Sequence, residues 1–106
     1  MRPKESDWKK FINSLDKWRE GYLKRKNDEI RAMLKDSDLN ETEKFWNIVD
    51  FQKNESKILR NCLDGYSRSR MSLHMVLMKK FEMICQEDIE KFSEELQKHL
   101  KNIERI

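Results

Sequence analysis

Met71–Cys85, MSLHMVLMKKFEMIC, is the stretch whose reading decides the fold. It holds four of the six methionines of a very polar chain. Wound as a helix, it sets Met71, Met75 and Met78 on one side and Leu73, Leu77, Phe81 and Ile84 on another. A helix that is apolar round most of its circumference belongs in an interior. The stretch therefore predicts a central rod against which amphipathic neighbours pack.

Downstream of the rod, Gln86, Glu87 and Asp88 open a further helix, with acids in the first turn where the helix dipole favours them, although the rod and this helix could also be continuous. That last helix carries the cleanest seam in the chain, Ile89, Phe92, Leu96, Leu100 and Ile103, at steps of three and four. Upstream, Asp64-Gly65 closes the preceding helix, with Gly65 suited to a left-handed conformation, and Ser67 or Ser69 is placed to cap the rod. The preceding helix starts after Asn40, which forms a capping box with Glu43. Its apolar side is Phe45, Trp46, Ile48 and Val49, then Ile58, Leu59, Cys62 and Leu63, with a polar waist over Gln52–Lys57. The first helix starts at a Ser6 cap and repeats apolar residues from Trp8 through Phe11, Leu15, Trp18, Tyr22 and Ile30 to Leu34. Gly21 within it marks a close helix crossing or a mild kink, and Lys24–Asp28 is expected to be exposed. The expected fold is all-α: one domain over residues 1–106, a small antiparallel bundle of about four helices at about 7–35, 41–63, 70–84 and 87–104, with short connections.

Composition agrees. Gly21, Gly65 and Pro3 are the only glycines and proline, as befits long helices joined by short links. A thin bundle of 106 residues buries a modest share of its surface, so oligomerisation is expected. Cys62 and Cys85 are both expected on apolar helix faces as small buried hydrophobes. No apolar run approaches a membrane span and the N-terminus reads as no signal peptide, so a soluble, cytoplasmic protein without a membrane partner is expected. Residues 1–35 carry eleven Lys or Arg against six Asp or Glu, and residues 36–64 carry four against seven. Alternating signs suit antiparallel neighbours better than a dedicated DNA-binding arm.

Four stretches are candidates for function. In the connection RNCLDGYSRSR, Arg60, Tyr66, Arg68 and Arg70 could hold an anion or a partner, since Arg forks and a helix N-terminus suit phosphate and carboxylate; local ion pairs are the simpler use. In KWREGYLKRK, Arg19, Lys24, Arg25 and Lys26 flank Trp18 and Tyr22, an arrangement that can stack bases and neutralise phosphates; core aromatics beside a solvated cationic face explain it as well. Met71, Met75 and Met78 with His74, Cys62 and Cys85 offer soft ligands, but their spacing is that of a core stripe, and no metal or other cofactor is expected. Finally, the chain holds more large rings than one small core needs. Trp, Tyr and Met dominate interface centres, and Trp46, Phe51, Phe92, Leu96, Leu100 and Ile103 are the expected interface.

Catalysis finds no support. His74 and His99 are the only histidines, carboxylates are scattered on polar faces, and no glycine-rich phosphate loop is present. The reading is a non-enzymatic interaction or regulatory module with a protein partner and no small-molecule substrate. It self-associates as a homodimer or larger oligomer through the aromatic, Met-rich and C-terminal seams. Lys, Asn and Ile content of the kind that AT-rich coding sequence gives extends it to a phage- or plasmid-borne accessory protein. The alternative is a nucleic-acid-associated helical protein, using Lys9, Lys10, the basic residues of the first helix and the YSRSR turn.

Overall fold

Two long amphipathic helices set the frame. The computed structural model describes residues 2–105, with Met1 and Ile106 outside it, and over these residues the chain is all-α, without a strand. Helix α1, Glu5–Leu34, runs about 45 Å at ~1.5 Å per residue. Helix α2, Glu41–Leu63, returns alongside it. Asn40 caps α2 as its sequence predicts: its side chain accepts from the Glu43 N–H at 2.8 Å and its own N–H donates to the Glu43 carboxylate at 3.2 Å. Gly65, at φ 70°, turns the chain beyond the end of α2. A single 3-10 turn, Arg68–Arg70, leads into α3, Met71–Lys80. Helices α4, Gln86–Ile89, and α5, Glu94–Glu104, complete the chain.

Four local expectations are corrected. Helix α1 starts two residues before Asp7, with Lys4 rather than Ser6 at its N-cap. Neither Ser67 nor Ser69 caps α3; their hydroxyls lie 3.2 Å from each other. Gly21 marks no close crossing, because nothing lies within 4 Å of where its Cβ would be. Cys85 is exposed rather than on an apolar helix face, because α3 ends before it.

The rod is central but short. Met71, Met75 and Met78 are fully buried, while Leu73 is exposed. Helix α3 stops because Glu82 takes a left-handed conformation, φ 61°. The Glu82 N–H then bonds the Lys79 carbonyl at 3.1 Å and the Met83 N–H the Met78 carbonyl at 2.7 Å. This is the Schellman pattern, with glutamate where glycine is usual. It turns Met83 and Ile84 back into the core.

The last predicted helix is two. Asp88 caps α4 by accepting from the Cys85 N–H at 2.9 Å. Ser93 caps α5 by accepting from the Leu96 N–H at 3.2 Å, and Glu94 and Glu95 occupy the first turn. The break lets the Ser93 N–H and hydroxyl both donate to Asp7 of α1, at 3.0 and 2.5 Å. Asp7 is buried, so this carboxylate ties α1 to the α4–α5 junction. The seam survives the break: Ile89, Phe92, Leu96 and Leu100 are all buried beside Phe11, Leu15, Trp18 and Tyr22 of α1.

The bundle covers only part of its frame. Helices α3–α5 meet α1 from Lys4, which pairs with Glu95 at 3.4 Å, to Arg25, which donates to the Glu82 carbonyl. From Leu23 to Asn61 no residue is fully buried. The far half of the α1–α2 hairpin therefore projects, and the molecule measures 52 × 23 × 22 Å. Its radius of gyration, 16.6 Å, exceeds the ~13 Å of a compact domain this long. No helix among the described residues is long and apolar enough to cross a membrane.

The left-handed glutamate yields a test. A left-handed non-glycine residue costs roughly 1–2 kcal/mol, against the smaller entropy cost of glycine. Glu82→Gly is expected to stabilise the fold by roughly 0.5–1 kcal/mol, raising the melting midpoint by a few degrees. A lower midpoint would contradict the assigned role of Glu82.

Candidate functional site

The projecting half of the hairpin bears an apolar groove on one face. Ile30 and Leu34, four apart on α1, supply one wall. Phe45, Ile48, Val49 and Gln52 supply the other, at the i, i+3, i+4, i+7 spacing of one helix face. Its volume is about 490 Å³, Glu41 and Lys44 flank it, and no residue of α3–α5 lines it. Leu34, Phe45 and Trp46 are 53%, 60% and 58% exposed, and the two rings stand edge to face at 5.1 Å. Monomeric soluble proteins rarely leave so continuous an apolar patch uncovered.

The hairpin is braced at its waist. Tyr22 is buried and its hydroxyl donates to Glu55, which also meets Lys26 at 3.5 Å. Lys26 reaches Glu29 at 3.1 Å. Part of the polar waist of α2 is thus turned inward to hold α1 in register. Burial first, then the hydrogen bond to Glu55 and its charge, push the Tyr22 hydroxyl well above its ordinary pKa. Burial alone pushes the Cys62 thiol up to about 11.

The total surface points the same way as the groove. The chain exposes 7405 Å², against about 6,300 Å² for a compact monomer of 13.0 kDa. The excess, on the order of 1,000 Å², is close to the ~800 Å² each partner contributes to a standard interface.

The residues singled out from sequence fall in several places. Trp46 stands on the rim of the projecting face, while Phe51 is half-buried on α2. Phe92, Leu96 and Leu100 are not available to a partner: each lies in the chain's own core, Leu96 and Leu100 because α5 packs on α3, and Phe92, in the link before α5, against Trp18 of α1 at 6.2 Å. Ile103 is half-buried near the end of α5. Arg68 forks onto Glu5 at 3.1 and 3.4 Å and lies over the Trp8 ring at 5.0 Å. The hydrogen bond from Arg68 holds the Glu5 carboxyl below its usual range. Tyr66 sits at the same end, against Phe11 and Trp8. Arg60 reaches only Ser56, at 3.5 Å, and Arg70 is exposed.

The cations of α1 are spread along the helix and largely engaged. Arg19 pairs with Asp16 at 3.0 Å, Lys24 with Asp28 at 3.4 Å, Lys26 with Glu29 and Glu55, and Arg25 with the Glu82 carbonyl. Lys10 donates to the Lys91 carbonyl, and Lys9 is exposed. The structure does not gather these nine cations and Tyr66 into one surface. Met71, Met75 and Met78 are core, as their stripe predicts. His74 is buried between α2 and α3, where its Nδ1 meets the Cys62 carbonyl at 2.7 Å. A carbonyl only accepts, so Nδ1 donates to it, and Nε2 has no hydrogen-bond partner among the described residues.

Ile30, Leu34, Phe45, Ile48 and Val49 were all visible as apolar seam residues, but the seam alone does not say that nothing covers them. No family model matches the chain, and no curated protein or solved structure matches it either.

The waist and the core thiol predict an alkaline weakness. Each group has a folded pKa above its unfolded value, so its stabilisation is complete below the unfolded value and is lost as pH rises through the window above it. The loss should begin near pH 9 for Cys62 and near pH 10 for Tyr22. In urea titrations from pH 7 to 11, Tyr22→Phe should cost about 1 kcal/mol at pH 7 and shrink the alkaline decline. An unchanged decline in both Tyr22→Phe and Cys62→Ala would contradict the assignment.

Proposed function

We propose that this chain is a small non-enzymatic interaction module that self-associates through the projecting half of the α1–α2 hairpin. A regulatory or sequestering role toward another protein, in the cytoplasm, completes the proposal. The observation that carries it is the uncovered face itself: Leu34 and Phe45, on a groove that runs across two helices, and Trp46 beside Phe45 are each more than half exposed. Such a face releases water on docking, at roughly 25 cal/mol per Å² of apolar surface. The excess surface matches the area one interface covers.

The nucleic-acid reading has weaker support. Its cations lie at separate places on the molecule, and Arg19, Lys24, Lys26 and Arg68 already have carboxylate partners. A phosphate-binding surface would need several of them free on one face.

Light scattering behind size exclusion, at low and high salt with absorbance at 260 and 280 nm, separates the two. The proposal expects a nucleic-acid-free oligomer whose mass is insensitive to salt. It expects Leu34→Glu with Phe45→Glu to give a monomer with unchanged helix content. A monomer that carries nucleic acid at low salt and sheds it at high salt would overturn the proposal. So would an oligomer that survives both substitutions.

A further inference from the structure

We infer that the occupant of the hairpin groove is one second copy of this chain, related by a two-fold axis that runs along the hairpin, so that α1 of each copy lies against α2 of the other. The inference rests on the self-association proposed above and adds its stoichiometry, its symmetry and its specificity.

Charge selects the arrangement. Residues 24–35, on the α1 side, carry five Lys or Arg against two Asp or Glu. Residues 36–52, on the turn and the α2 side, carry one against five. Arg25 and Lys26 are turned to the Glu82 carbonyl and the waist, so Arg31 and Lys35 make the basic flank of the apolar groove, and Glu41 and Asp50 the acidic one. Two such hairpins can pair groove to groove about two kinds of two-fold axis. An axis perpendicular to the helices sets α1 against α1 and α2 against α2, placing like charges together. An axis parallel to the helices sets each basic edge against the partner's acidic edge, twice over, as an isologous contact requires. Like charges facing each other across an interface disfavour the first arrangement, and opposite charges fix the second.

Residue positions agree. Arg31 stands one residue beyond Ile30, and Lys35 one beyond Leu34, both exposed on the flank of α1. Asp50 follows Trp46 by four, so the two share the flank of α2, and Glu41 flanks the groove directly. Arg31 also meets Asp28 at 2.5 Å, at the surface, where exchange for a partner's charge is inexpensive, and the exposed Glu41 carboxylate meets the largely buried Lys44 at 3.4 Å. With the grooves closed together, Ile30, Leu34, Phe45, Ile48 and Val49 of both copies make the centre of a four-helix bundle, the arrangement in which two-helix seams become covered on all sides. No residue of α3–α5 lines the groove.

The test is a mixing experiment by sedimentation equilibrium with two charge variants of the full chain. One carries Arg31→Glu and Lys35→Glu, making both edges acidic. The other carries Glu41→Lys and Asp50→Lys, which sets lysines on the α2 flank and cancels the acidic excess of residues 36–52. Circular dichroism of each reports whether it folds. The expected result is a wild-type dimer, each variant alone dimerising at least about tenfold more weakly, and an equimolar mixture that recovers near wild-type affinity as a heterodimer. If the wild type is an oligomer disrupted by Leu34→Glu with Phe45→Glu, yet mixing restores nothing, this arrangement is overturned while the docking face stands. A mass of three or more copies overturns it as well. A wild-type monomer across the accessible concentration range overturns both this arrangement and the self-association beneath it.

Discussion

The structure depends on a mismatch of lengths. Helices α1 and α2 span 30 and 23 residues, but α3, α4 and α5 span ten, four and eleven. Three short helices can cover only one half of a long hairpin. They cover the half built by the start of α1 and the end of α2, and the rest projects into solvent with its apolar stripe intact. An amphipathic helix is stabilised chiefly by burial of its apolar face. The projecting half lacks that burial, which makes it both the least supported part of the fold and the part with the strongest drive to find a cover.

What holds the short helices to the hairpin is polar as well as apolar. A buried carboxylate is costly unless it is fully hydrogen-bonded. Asp7 meets that condition through the backbone and hydroxyl of Ser93, which in turn caps α5. One residue pair thus fixes where α1 meets the rest of the chain and where α5 begins. Tyr22 and Glu55 do the same for α1 and α2 at the waist. Beyond Lys26 the hairpin has no comparable tie to α3–α5, so the boundary between the supported and projecting halves falls close to the waist.

Much of this was legible in the residues. The 41–63 helix, its Asn40 cap, the turn at Gly65 and the burial of the Met71–Met78 stripe all follow from local rules, because each depends on residues within one or two turns. The misreadings have two causes. The end of α3 is local, a Schellman turn with glutamate at Glu82 where glycine would have announced a stop, and the break at Ser93 is held by a long-range contact with Asp7. A cap at Ser93 was available, since Ser-Glu-Glu-Leu opens a helix well, but a continuous Ile89–Ile103 seam concealed it. Of the residues expected at an interface, Trp46 is exposed on the projecting half, whereas Phe92, Leu96 and Leu100 belong to the core. Periodicity tells which residues seek burial and does not tell which of them find it within the chain.

If association covers the projecting half of the hairpin, amide hydrogen exchange read segment by segment at a low and a high protein concentration will show it. Residues 26–34 and 41–52 are expected to become markedly better protected at the high concentration, while α3 and α5 keep the same protection at both. Protection of the projecting half that does not change with concentration would contradict it.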